Sequence, residues 1–319
     1  MDDSSFSDEI VYHYTSPAGL LGIVDSPMDR IGGVPDWMLN RGQLVVLHAS
    51  DVRYMNDSRE LRVAGDLVAE RLKERIDELD PTVEPEARAA VEAAVAAIDS
   101  QDMPFGGSHR VFAVCFCSDG DLLSQWRGYA GSQGGYAIGF RRKVLQITNI
   151  GKVGEWSSFS ALARPAATLM KVEYERHGEL TDSFVGSIIS QAKSRVGVAY
   201  AFPPLWGQMS RFAKYKDPSF REEQEWRLVF ESAPTREPSI PVLFRSRADG
   251  IVPYIPIVVG TPPTYAPNPH NLNFDEVIAD LVVGPGPDMK LRVDAAKALL
   301  YRTGHNPDVV RESAVPFKG

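Results

Sequence analysis

Apolar residues recur along the chain with two periods. Leu61, Ala64, Leu67, Val68, Leu72, Ile76 and Leu79 fall at helical spacing, which predicts an amphipathic helix from Leu61 to Leu79. Asp80-Pro81 stops it, and Pro85 to Ile98 predicts a second helix with Val91, Val95 and Ile98 on one side. Together they predict a helical hairpin over 61–99. A short helix is expected after Ser16-Pro17, with Leu20, Leu21 and Val24 inward. Others are expected over 119–130 and 183–200, and from Asp288 through Leu300, closed by Gly304.

Strand-like runs, rich in β-branched and aromatic residues, cover 9–14, 44–48, 110–117, 136–140, 169–174, 226–231 and 277–283. Asp25 to Gly42 and Ile150 to Pro165 read as loop, and Gly131 to Gly135 as a glycine turn. The runs do not alternate regularly with helices. That predicts an α+β fold with mixed or antiparallel strands, not a doubly wound sheet.

The 319 residues can bury a large core, and are read as one large α+β domain with 61–99 as a helical hairpin insertion. A net charge of -8 argues against a general nucleic-acid or membrane-surface binder, without excluding a local basic groove. Two cysteines, Cys115 and Cys117, are too few for a disulfide framework. With an acidic, polar N-terminus and no apolar run long enough to span a bilayer, they point to the cytoplasm. The Cys-x-Cys pair lacks a second Cys or His pair at zinc spacing, so two small buried hydrophobes is the favoured reading. Phosphate-loop, dinucleotide-fingerprint, zinc-protease and nucleophile-elbow motifs are absent.

Two polar segments stand out. Tyr12-His13-Tyr14-Thr15-Ser16 offers His13 and Thr15 on one strand face, since residues i and i+2 point the same way. Phe220-Arg221-Glu222-Glu223-Gln224-Glu225-Trp226-Arg227 offers Glu223 and Glu225 likewise. Both carboxylates also have a plain structural role open to them, pairing with Arg221 and Arg227. Trp126 and Trp226 read as packing residues. Arg211, Lys214, Lys216 and Arg221, interleaved with Phe212, Tyr215 and Phe220, form a basic run that reads either as a solvated loop or as a phosphate-backbone track.

Four segments resemble an uncharacterised bacterial domain-of-unknown-function family. They are Tyr12 to Ser16, Asn56-Asp57 with Glu60, Gln125 to Ala130 running into Gly135 to Phe140, and Phe220-x-x-Glu223-x-Glu225-Trp226-Arg227. His13-x-Thr15 followed by Leu20-Leu21-Gly22-Ile23 also looks like the opening of ADP-ribosyltransferase-type domains. That second resemblance implies a split sheet, NAD as substrate and no metal. It further implies that His13, with Thr15 beside it, grips NAD by donating to a ribose oxygen or the carboxamide. Tyr136 or Tyr129 would stack on nicotinamide, Glu225 would support catalysis with Glu223 nearby, and Arg127 or Arg227 would hold the pyrophosphate. The implied activity is ADP-ribosyl transfer to a protein or nucleic-acid target, or NAD hydrolysis. The alternative is a non-catalytic nucleotide-sensing module in a bacterial stress or phage-defence system.

Overall fold

The run Arg110–Cys117 (β3) is the strand from which the rest of the sheet branches. In a computed structural model of the chain, the described residues are 8–25, 45–55, 60–99, 110–129, 134–145, 148–150, 167–174, 178–194, 209–232, 242–247, 250–259 and 277–316. Asn56-Asp57, Gly131 to Gln133 and most of the loop expected over 150–165 lie outside them. The other strands are β1 (Ile10–Thr15), β2 (Val45–Asp51), β4 (Tyr136–Arg141), β5 (Thr148–Ile150) and β6 (Thr168–Lys171). They continue with β7 (Glu225–Ser232), β8 (Leu243–Arg247), β9 (Gly250–Val259), β10 (Asp280–Val283) and β11 (Val310–Glu312). The helices are α1 (Pro17–Val24), α2 (Glu60–Arg75), α3 (Pro85–Asp99), α4 (Leu123–Tyr129), α5 (Arg142–Leu145), α6 (Gly178–Ser194), α7 (Met209–Phe212) and α8 (Met289–Arg302).

These strands form one mixed, mostly antiparallel sheet; among the described strands, β10 and β11 pair in parallel. Along one edge β3 pairs with β7 over its whole length, from Arg110↔Ser232 to Cys117↔Glu225. Its other edge is shared: β2 takes Phe112 and Ala113, while β1 takes Cys117. Between these two ladders the sheet splits. His13 Nδ1 lies 2.9 Å from the Cys115 carbonyl, so the imidazole occupies the gap.

Strand alternation divides the two faces. Val11, Tyr136, Ile138, Phe140, Phe116 and Trp226 enter the larger core, on which α1 and α8 pack. Val111, Ala113 and Val229 enter a second core with α2, α3 and α6. The hairpin expected over 61–99 is present as α2, a 3-10 turn at Ile76–Glu78, and α3. It forms a three-helix layer with α6 rather than standing alone.

Strand β9 was hidden in the sequence by Pro253 and Pro256, which break its apolar run. The sheet tolerates both because pairing is interrupted nearby. Pro253 lies just past the last β2 pair, at Tyr254, and Pro256 lies opposite the gap between β8 and β5. Their opposite parity lets each turn its missing N–H toward such a gap. Among the described residues, no helix is long and apolar enough to cross a membrane.

Candidate functional site

A cleft of about 700 Å³ opens over the split, within the range typical of small-molecule sites. Its floor is Tyr12 to Tyr14 of β1, Cys115 to Cys117 of β3 and Glu225 of β7. One wall is α4, through Ser124, Gln125, Gly128 and Tyr129, and the other is the stretch from Lys216 to Glu223.

The walls are anchored by buried polar contacts. Trp126, fully buried, donates from Nε1 to Asp121 Oδ1 at 2.8 Å, which fixes α4. Tyr14 donates to the Asp119 carbonyl at 2.9 Å and accepts from Leu122 N at 2.8 Å. A 3-10 helix at Pro218–Glu223 forms the second wall, capped by Asp217. It ends at Gln224, whose φ of 42° is left-handed, an uncommon conformation for a residue with a side chain. Strand alternation therefore does not bring Glu223 and Glu225 together as expected. The turn at Gln224 does, and both carboxylates converge on Lys216 Nζ, at 2.7 and 2.9 Å.

Glu225 is 4 % exposed and grips Arg227 by two parallel bonds, to Nε at 2.7 Å and to Nη2 at 2.9 Å. Arg227 Nη1 donates onward to the Ala213 carbonyl at 2.9 Å, and Tyr174 Oη accepts from Glu225 N at 2.7 Å. Burial works to raise the Glu225 pKa, but Arg227 and then Lys216 overcome it and hold the carboxyl at about 2. Glu223, Glu225, Lys216 and Arg227 thus form a charge-balanced cluster at the cleft floor. Cys115 hydrogen-bonds Glu225, and Cys117 donates to the Glu223 carbonyl at 2.9 Å. Burial pushes the Cys117 thiol up to about 11. Neither cysteine belongs to a metal cluster: among the described residues, no group of three or more His, Cys, Asp and Glu is placed to hold a metal ion.

His13 has a defined tautomer. The Cys115 carbonyl can only accept, so Nδ1 carries the hydrogen. Burial, helped by the nearby Arg245 and opposed by the Cys115 hydrogen bond, lowers the His13 pKa to about 4, so the ring is neutral at pH 7. Nε2 is then an acceptor. With Nδ1 committed to the Cys115 carbonyl and the ring neutral, His13 has no N–H left for the donor role expected of it.

The cleft gathers His13, Tyr129, Glu223 and Glu225, but not the other expected residues. Tyr136 pairs with Thr15 and points into the larger core, 8 % exposed, with the Arg292 guanidinium 5.5 Å from its ring centroid. Neither Tyr136 nor Thr15 is among the residues that line the cleft, although His13, two residues before Thr15, is. Tyr129 is the aromatic residue in position. The residue is 45 % exposed, while burial of its hydroxyl end near Cys115, Glu225 and Glu223 raises the phenol pKa. Arg227, 2 % exposed, is committed to Glu225 and Ala213 and cannot serve as a phosphate clamp. Arg127 is exposed on α4 outside the cleft lining.

The basic run does not form a backbone track. Lys214 pairs with Glu173 at 2.7 Å, Arg211 lies over Phe184, and Lys216 is buried over Phe220. Lys216 is the site residue whose role the sequence concealed. It sits nine positions before Glu225, outside any periodic element, and only the fold brings it there.

Comparison with known families gives one match. Residues 125–228 match a family described as "Protein of unknown function (DUF2971)". No curated protein and no solved structure matches the chain. The matched span runs from α4 through Leu228 of β7, so it includes both walls of the cleft and the Glu225 cluster. Over residues 125–228 the chain is therefore similar to a domain-of-unknown-function family, a likeness that carries no activity with it.

Proposed function

We propose that the cleft binds NAD and that the protein cleaves its nicotinamide–ribose bond, passing ADP-ribose to water or to a protein or nucleic-acid acceptor. One observation carries this reading: His13 and Glu225, more than two hundred residues apart in sequence, line one cleft at the split of a single sheet. An ADP-ribosyltransferase-like split sheet is part of the same proposal. Breaking the nicotinamide–ribose bond develops positive charge on the ribose, as in glycoside cleavage. A carboxylate held ionised by its neighbours can stabilise that charge as it forms. Neutral His13 offers Nε2 to a ribose hydroxyl, and Tyr129 offers a flat face for the nicotinamide ring.

A second reading has its own support. Glu225 is almost fully buried and already matched by two cations, which suits a structural anchor beneath a binding site. In that case the cleft senses a nucleotide without turnover. Incubation with NAD, followed by chromatographic measurement of nicotinamide, separates the two. Catalysis predicts nicotinamide release in proportion to enzyme. Binding detected by calorimetry with no release assigns the sensing role. No binding and no release at millimolar NAD overturns both.

A further inference from the structure

The arginines of the described core region mostly have carboxylate partners: Arg53 has Asp51, Arg227 has Glu225 and Arg311 has Asp280. Arg245, on β8, is different. Its Nη2 donates to Ser50 Oγ at 2.7 Å and its guanidinium lies 6.0 Å from the Tyr254 ring centroid. Among the described residues no carboxylate pairs with it. Burial lowers its pKa, and Arg247 nearby adds repulsion. A half-buried cation without a counter-charge is costly to hold.

Its surroundings lie beside residues that line the cleft, though Arg245 itself is not one of them. The His48 ring packs on Tyr254 with centroids 4.4 Å apart. Arg245 is close enough to lower the pKa of both His48 and His13, and His13 borders the cleft. Arg247 Nη1 donates to the Tyr54 carbonyl at 3.1 Å, one residue before Met55 of the cleft wall. Two arginines and two imidazoles therefore gather on one side of the split, in a chain whose net charge is -8.

We propose that Arg245 is the anion-binding corner of this site and that it takes the diphosphate of a nucleoside-diphosphate ligand. A guanidinium fork matches phosphate oxygens by paired, charge-assisted bonds, and the ligand supplies the missing counter-charge. The proposal rests on the nucleotide reading of the cleft. It assigns the phosphate contact to Arg245 in place of Arg127 and Arg227.

The test is calorimetric titration of inorganic pyrophosphate, ADP-ribose and nicotinamide riboside into the wild type, R245Q and R245K. The wild type should bind pyrophosphate and ADP-ribose. R245Q should weaken both by about 10- to 100-fold, the loss of one charged hydrogen-bonded contact. R245K should fall between, and nicotinamide riboside, which lacks the diphosphate, should bind all three alike. R245Q gives up the Ser50 bond and the Tyr254 contact, so its melting curve accompanies each titration to show that it is folded, and pyrophosphate should raise the wild-type Tm alone. Equal binding of pyrophosphate and ADP-ribose by wild type and R245Q overturns the proposal, as does a wild type that binds no pyrophosphate. Pyrophosphate binding lost in R245Q, with no NAD turnover by the wild type, keeps the anion corner and removes the enzymatic reading. NAD turnover and ADP-ribose affinity undiminished in R245Q do the reverse.

Discussion

Replacing Glu225 by glutamine is the sharpest perturbation of the cleft floor. Glu225 accepts three short bonds, two from Arg227 and one from Lys216, while 4 % exposed. The substitution keeps shape but removes the charge. It also turns an amide N–H₂ toward groups that are themselves donors. Lys216 retains Glu223 at 2.7 Å, whereas Arg227, also bonded to the Ala213 carbonyl, loses its Glu225 carboxylate while buried. Breaking a buried pair on one side costs about 3–5 kcal/mol. For 319 residues an unfolding entropy of about 2.1 cal/mol/K per residue converts this to a Tm loss of about 4–8 °C. If Glu225 also stabilises ribose charge, nicotinamide release falls about 100- to 1,000-fold at a temperature where the variant is folded. Differential scanning calorimetry and a nicotinamide assay on one preparation read both. A Glu225→Gln variant melting within about 1 °C of the wild type would refute the buried-pair account. Adding Arg227→Met should recover part of the stability, because it removes the stranded charge.

Other predictions follow from the same geometry. His13, His48 and His305 all have folded pKa values of about 4, lowered by burial, so the unfolded chain binds more protons between pH 4 and 6.5. Their contribution to stability is complete above pH 6.5 and is lost as pH falls toward 4. The slope reaches at most about 1.4 kcal/mol per pH unit for each histidine, and urea melts across that window should show it; a flat profile counts against it. Glu225 acts lower down: its stabilisation is present above the unfolded carboxylate pKa and disappears as pH falls toward 2, so Glu225→Gln should flatten that acid limb. Tyr129→Ala should weaken NAD binding by calorimetry, whereas Tyr136→Phe, outside the cleft lining, should leave it unchanged.

Much of the framework was legible because periodicity survives in long elements. The hairpin of α2 and α3, the β-branched run of β3 and helix α8 before Gly304 each satisfy one clear rule, but Asp288 does not cap α8 as expected: it is left-handed, φ 51°, and makes no side-chain cap bond. What escaped depends on three-dimensional pairing. Pro253 and Pro256 disguised β9, and nothing local shows that its partners leave gaps where those prolines fall. His13, Glu223 and Glu225 were readable as polar residues beside strands. Glu223 does lie beside Glu225, but through the left-handed turn at Gln224 rather than by strand alternation. Tyr136 and Thr15 were misplaced because the sequence does not say how far along a strand a cleft extends. Arg227 satisfied its structural alternative, as the partner of Glu225. Lys216 and Arg245 carried no local signal, since one completes a charge cluster and the other has no carboxylate partner among the described residues.

Gly128 allows the central claim to be tested sterically. It lines the cleft, a Cβ built on it meets nothing within 4 Å, and it lies in helix α4. Gly128→Trp should therefore put an indole into the open space beside α4 and obstruct the cleft without disturbing the fold, and exchanging a helical glycine for tryptophan favours the helix by a few tenths of a kcal/mol. The decisive measurement is nicotinamide release from NAD by the wild type and by Gly128→Trp, each with its melting curve. The account predicts release by the wild type, and none by a variant that melts at the same temperature or higher. A wild type without release, or a folded Gly128→Trp that matches its rate, would contradict it.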